Sequence, residues 1–106
     1  MRTITTEAEL RAVASGNKTA VICFHTPRSS HSRRTVKALA EAERKFAQAE
    51  FYLVEGDLDA LIPVLRELKV VGLPTALIYR QGVHEKTLVG ERSAKALMAI
   101  LEQCLQ

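Results

Sequence analysis

Ser29-Ser30-His31-Ser32 places three hydroxyls and an imidazole in consecutive positions, with Arg28 before them and Arg33 and Arg34 after. Serine beside histidine suggests hydrolysis, which needs a nucleophile in reach of a base and a third group orienting that base. Side chains one or two apart on a helix do not face one another, and no third group or oxyanion site is evident, so esterase or protease chemistry is not expected. The other nucleophiles are Cys23 and Cys104. His25, His31 and His84 lack the ligand spacing of a zinc site, and no phosphate-binding glycine loop or dinucleotide fingerprint occurs. Neither a metal nor a cofactor is expected. Arg28, Arg33, Arg34 and Lys37 lack the interleaved aromatics of a single-strand nucleic-acid surface, and a net charge of +3 is too small to imply nucleic acid by itself.

What remains at this segment is an electropositive helix start. Backbone N–H groups left unpaired in a first turn, with cationic side chains around them, are the makings of an anion site near Ser29. The plainer reading is that Ser29 or Ser30 is an N-cap and the arginines form a solvated face. Cations sit at the unfavourable end of a helix dipole, which argues for a bound anion.

The elements that must position this segment are legible from pattern. The chain has 106 residues, 47% of them hydrophobic and 25% charged, which suits one globular domain over residues 1–106 with a core of its own. Arg2 to Ile4 reads as a short strand. Thr6 with Glu9 three residues on reads as a capping box for a helix through Ala14, stopped at Gly16-Asn17. Thr19 to His25 is apolar and β-branched without alternation, the signature of a central strand covered on both faces. From Ser29 or Ser30 to about Ala49 nothing breaks the chain, and Leu39, Ala42, Phe46 and Ala49 recur at helical steps, which predicts one long helix. Phe51 to Val54 is the next strand. Asp57 or Asp59 is expected to cap a helix carrying Leu61, Leu65 and Leu68, with Pro63 in or near its first turn. Thr75 to Tyr79 and Thr87 to Val89 are strands joined through Gln81-Gly82, and Ser93 starts a closing helix with Leu97, Ile100, Leu101 and Leu105.

Cys23 in the central strand is expected to be a small inert hydrophobe. Cys104 lies beside the apolar stripe of the last helix and is expected to be partly exposed. Two cysteines so far apart fit a reducing compartment. No run of eighteen apolar residues is present, and Met1-Arg2-Thr3-Ile4-Thr5-Thr6 leads into an amphipathic stretch rather than a signal's apolar one. A cytoplasmic protein with no membrane association is expected.

Phe24-His25-Thr26-Pro27-Arg28 running into Ser-x-x-Ser, then Gly72-Leu73-Pro74-Thr75, Gln81-Gly82 and Val89-Gly90, resemble the thioredoxin family in order and spacing over nearly the whole chain. Thr26 to Ser32 most resembles the Ala-Pro-Trp-Cys-Gly-His-Cys form of disulfide isomerase domains, with His31 at that motif's histidine. Leu73-Pro74-Thr75 is similar to the family's Ile-Pro-Thr, whose proline bond is cis and faces the redox site. The resemblance implies an α/β thioredoxin-like fold, a central mixed sheet flanked by helices on both faces.

The same resemblance puts Ser29 and Ser32 at the two cysteine positions. A serine hydroxyl stays protonated at a helix start and forms no disulfide, so the family's dithiol reaction is chemically closed there. Cys23 falls where the family has a buried aspartate, Glu55 where that aspartate has a lysine partner, and His25 and Arg28 where it has flanking aromatics. The chain has no tryptophan. The expectation is therefore a redox-inactive binding or assembly module, with no catalytic residues. Arg28, Ser30, His31, Arg33, Leu73, Pro74 and Thr75 form its contact surface for a protein or peptide partner, an acidic one among the candidates. The groove beside Pro74 would take an extended segment by strand addition. The alternative is a thiol-disulfide oxidoreductase whose cysteines at 29 and 32 were exchanged for serine, or a residual single-thiol activity at Cys104. The changes at Cys23 and the missing tryptophan are not explained by such an exchange.

Overall fold

The computed structural model describes residues 1–104; Leu105, expected in the closing helix, lies outside them. Ten elements follow in order: β1 (Arg2–Ile4), α1 (Glu7–Ser15), β2 (Thr19–His25), α2 (Ser30–Glu43), β3 (Ala49–Glu55), a short 3-10 turn (Asp59–Leu61), α3 (Ile62–Glu67), β4 (Thr75–Arg80), β5 (Val83–Val89) and α4 (Ala94–Cys104). The strands form one sheet in the order β1-β3-β2-β4-β5. β1 and β2 run parallel to β3, while β4 runs antiparallel to both β2 and β5. The sheet is mixed, as expected, and β2 is its middle strand.

Alternate residues of β2 explain why its sequence shows no polar alternation. Ala20, Ile22 and Phe24 join Leu10, Val64 and Leu65 in a core on the α1 and α3 face. Val21 and Cys23 join Ala38, Leu39, Leu97 and Leu101 in a second core on the α2 and α4 face. A strand covered twice needs apolar residues at every position. Between β4 and β5, Gln81 and Gly82 both have positive φ, 51° and 81°, in a two-residue hairpin that Arg80 and Val83 close. That backbone suits the right-handed twist of the flanking strands.

Three expectations are corrected. The long helix ends at Glu43, not near Ala49, because Ala49 pairs with Thr19 and opens β3; Phe46 and Ala49 are buried from a turn and a strand. Their helical spacing reflects burial in one core, not one helix. Neither Asp57 nor Asp59 caps a helix: the N-cap positions of the 3-10 turn and of α3 are Leu58 and Leu61, which offer no side-chain cap. Pro63 does fall in the first turn of α3. β5 starts at Val83, four residues ahead of the expected Thr87, since a nearly wholly exposed strand carries no apolar alternation to read.

The starts of α1 and α4 carry side-chain caps, but the capping box expected at Thr6 and Glu9 forms only in its Thr6 half. Thr6 Oγ1 accepts from the Glu9 amide at 3.2 Å, while the Glu9 carboxylate turns to Arg2 at 2.8 Å. Ser93 Oγ accepts from the Ala96 amide at 3.2 Å at the start of α4.

Candidate functional site

The site lies where the C-terminal ends of β2, β3 and β5 meet the N-terminal end of β4, since Phe24 pairs with Val54 and Thr75, and Thr75 with Val89. β2 delivers the chain at His25 into a loop that α2 ends. Ser29 is the N-cap of α2, with its Oγ accepting from the Ser32 amide at 3.3 Å. Ser32 is fully buried, and its Oγ accepts from the Thr26 amide at 3.2 Å. The Ser29 amide donates to the Thr26 carbonyl at 3.1 Å. Both serine oxygens at the motif positions are therefore engaged in holding the loop against the helix start. Ser30, by contrast, is exposed at the first position of α2.

The cations around this loop have acidic partners that local sequence does not reveal. Arg28 Nη2 donates to Asp57 Oδ2 at 2.9 Å, and the Thr26 hydroxyl donates to the same oxygen at 3.2 Å. Arg28 first, then the local backbone and Thr26, hold the Asp57 carboxyl below its ordinary range. Arg33 Nη1 donates to the Pro27 carbonyl at 2.8 Å. Arg34 grips Glu91 with two nitrogens, Nε to Oε2 at 2.7 Å and Nη2 to Oε1 at 3.0 Å. His31 Nδ1 lies 2.7 Å from the same Oε1; a carboxylate only accepts, so Nδ1 carries the proton in that bond. Arg34 chiefly, with His31, pulls the Glu91 carboxyl down to about 2. The cluster read from sequence as a free positive face is thus largely paired, through Asp57 and Glu91.

His25, half-buried between the loop and β3, is pushed below its ordinary value by burial, against the opposing pull of Glu55 and Asp57. Cys23 is fully buried, and burial pushes its thiol up to about 12, so it supplies no thiolate. Cys104 is partly exposed at the far end of α4, packed against the α2 and α4 core. No group of three or more His, Cys, Asp and Glu side chains suited to a metal occurs among the described residues.

The Leu73–Pro74 bond is cis. Gly90 donates to the Pro74 carbonyl at 2.8 Å and Thr75 Oγ1 donates to the Gly72 carbonyl at 2.6 Å. Leu73 packs toward Gly56, where an added Cβ would lie 2.6 Å from Leu73 Cδ2. Through Gly90 and Glu91 this segment is tied to His31 and Arg34 on α2. The structure therefore brings Arg28, Ser30, His31 and Arg33 to the same end of the sheet as Leu73, Pro74 and Thr75. Asp57, Arg34 and Glu91 belong to that end as well, and sequence reasoning placed only Arg34 there.

The family model described as thioredoxin matches residues 2–103. The chain belongs to the thioredoxin family. Among solved structures it is similar to a thioredoxin from Plasmodium falciparum, at 21% identity and a TM-score of 0.85, covering 97% of this chain and 98% of that one. It is also similar to thioredoxin O2 from Arabidopsis thaliana in its oxidised state, at 22% identity and a TM-score of 0.86, covering 99% and 94%. A Malassezia sympodialis thioredoxin matches at 21% identity and a TM-score of 0.82, covering 96% and 90%. Comparison with curated protein sequences returns no match. At such identities the structural likeness shows the thioredoxin fold alone. Within that fold, Ser29 and Ser32 cap and pin the start of α2.

Proposed function

We propose that this thioredoxin-family chain is redox-inactive and acts as a binding or assembly module for a protein or peptide segment. The observation that carries the reading is the engagement of the motif hydroxyls: Ser29 Oγ and Ser32 Oγ each accept from a backbone amide. An alcohol that accepts a structural hydrogen bond and has no base beside it is neither nucleophile nor redox centre. The buried Cys23 thiol, raised to about 12, supports the same view, because the thiolate is the reactive species. The contact surface comprises Arg28, Ser30, His31 and Arg33 with Leu73, Pro74 and Thr75, facing an acidic segment. A reducing, cytoplasmic setting fits two free cysteines, and no helix among the described residues is long and apolar enough to cross a membrane.

The test is disulfide reduction with dithiothreitol and a protein disulfide substrate, comparing the chain with its Ser29→Cys, Ser32→Cys double variant. The chain should give no turnover above background, while the variant turns over. Turnover by the unaltered chain would mean that Cys104 or Cys23 is a working thiol, and the module reading would fall.

A further inference from the structure

Glu91 occupies a carboxylate cradle built by α2. Its two oxygens are held by the Arg34 fork at 2.7 and 3.0 Å, and His31 adds a third contact at 2.7 Å. A guanidinium meeting a carboxylate side-on is the geometry by which proteins single out that planar anion. The ligand here comes from the chain's own loop between β5 and α4, one residue beyond the glycine that donates to the Pro74 carbonyl.

We propose that His31 and Arg34 form a recognition site for a carboxylate side chain of an extended acidic peptide, and that Glu91 is its internal competitor, displaced when the partner binds. The proposal rests on the module reading above and names the residues that would give it chemical selectivity.

Charge and exposure both favour this occupant. The three side chains are open to solvent, at 66% for His31, 56% for Arg34 and 33% for Glu91. The pair is exposed and screened by solvent, and an incoming carboxylate regains from Arg34 and His31 the contacts that Glu91 gives up, so the exchange costs little. A tethered competitor still acts at high effective concentration, which makes the site respond weakly to isolated acids and more strongly to a segment with additional contacts. Those contacts exist at the same end of the sheet. Val71, three residues before Pro74, is 93% exposed, and Val89, paired with Thr75, is 57% exposed. A segment alternating carboxylate and apolar side chains matches charge and hydrophobic surface together.

The probe is a capped hexapeptide alternating valine and glutamate, with a valine–glutamine peptide as its neutral counterpart. Both are titrated into the isotope-labelled full chain and followed by amide shifts of His31 and Gly90. The glutamate peptide should bind at least threefold more tightly to the Glu91→Ala variant than to the unaltered chain. It should bind at least tenfold more weakly to the Arg34→Gln variant. The glutamine peptide should respond to neither change. Equal binding of the two peptides, or no gain in the Glu91→Ala variant, overturns the carboxylate site while leaving the groove reading intact. Failure of both peptides to shift any variant overturns the site and the peptide groove beneath it.

Discussion

Ser32 Oγ accepts the Thr26 amide at 3.2 Å from a fully buried position, bridging the end of the β2 loop to the first turn of α2. The hydroxyl is therefore part of the scaffold. Replacing Ser32 by alanine leaves the Thr26 N–H without its acceptor and should cost about 1–2 kcal/mol. Ser29→Ala removes the N-cap and should cost about 1 kcal/mol, whereas Ser29→Asp keeps a capping oxygen and should stay within about 0.5 kcal/mol. Urea denaturation at fixed pH measures all three. Equal stability of the two alanine variants and the parent would show that neither bond matters to the fold.

The two thiols should separate cleanly by reactivity. At pH 8 a thiol raised to about 12 is ionised in roughly one molecule in ten thousand, and Cys23 is also shielded from solvent. Cys104 is partly exposed. An aromatic disulfide reagent should titrate one thiol in the native chain and a second only after denaturant is added. Rapid loss of both in the native state would place Cys23 within reach of solvent.

Two groups at the site should shape stability against pH in different windows. His25 titrates below its ordinary 6.5 because burial disfavours the cation, so the unfolded chain binds the proton more readily. Its contribution is complete above about 6.5 and falls as pH drops toward the folded value. Glu91, lowered from 4.5 to about 2 chiefly by Arg34, contributes fully above about 4.5 and loses that contribution as pH falls toward 2. Melting temperatures from pH 8 to 2 should therefore flatten just below pH 6.5 in His25→Gln, and between pH 4.5 and 2 in Glu91→Gln. Curves parallel to the parent in those windows would refute the assignments.

Thr35, on the buried face of α2, has an Oγ1 with no hydrogen-bond partner among the described residues. Valine has nearly the same shape without the hydroxyl, and an unsatisfied buried oxygen is costly. Thr35→Val should raise stability by about 1 kcal/mol in a thermal or urea melt. A loss of similar size would mean that the hydroxyl is bonded in solution.

Legibility followed the range of the forces involved. The Thr19 to His25 run, the Thr6 cap and the Gln81-Gly82 turn were readable because each is decided by neighbouring residues and by burial on both faces of one strand. The end of α2 was not. Phe46 and Ala49 continue the apolar spacing of Leu39 and Ala42, yet Ala49 gains a strand partner in Thr19, and the sheet outweighs the helix. Asp57 looked like a cap for the same local reason, and in the folded chain it serves Arg28, twenty-nine positions away.

By itself the sequence determined the family, the fold class and the absence of thiols at Ser29 and Ser32, since these rest on residue identity and order. Only the tertiary structure decided that those hydroxyls are bound to backbone amides, that Arg28 is matched by Asp57, and that Glu91 fills the grip of His31 and Arg34. Charges so distant along the chain meet only once β5 and α2 are docked on the same sheet, because electrostatic pairing depends on separation in space.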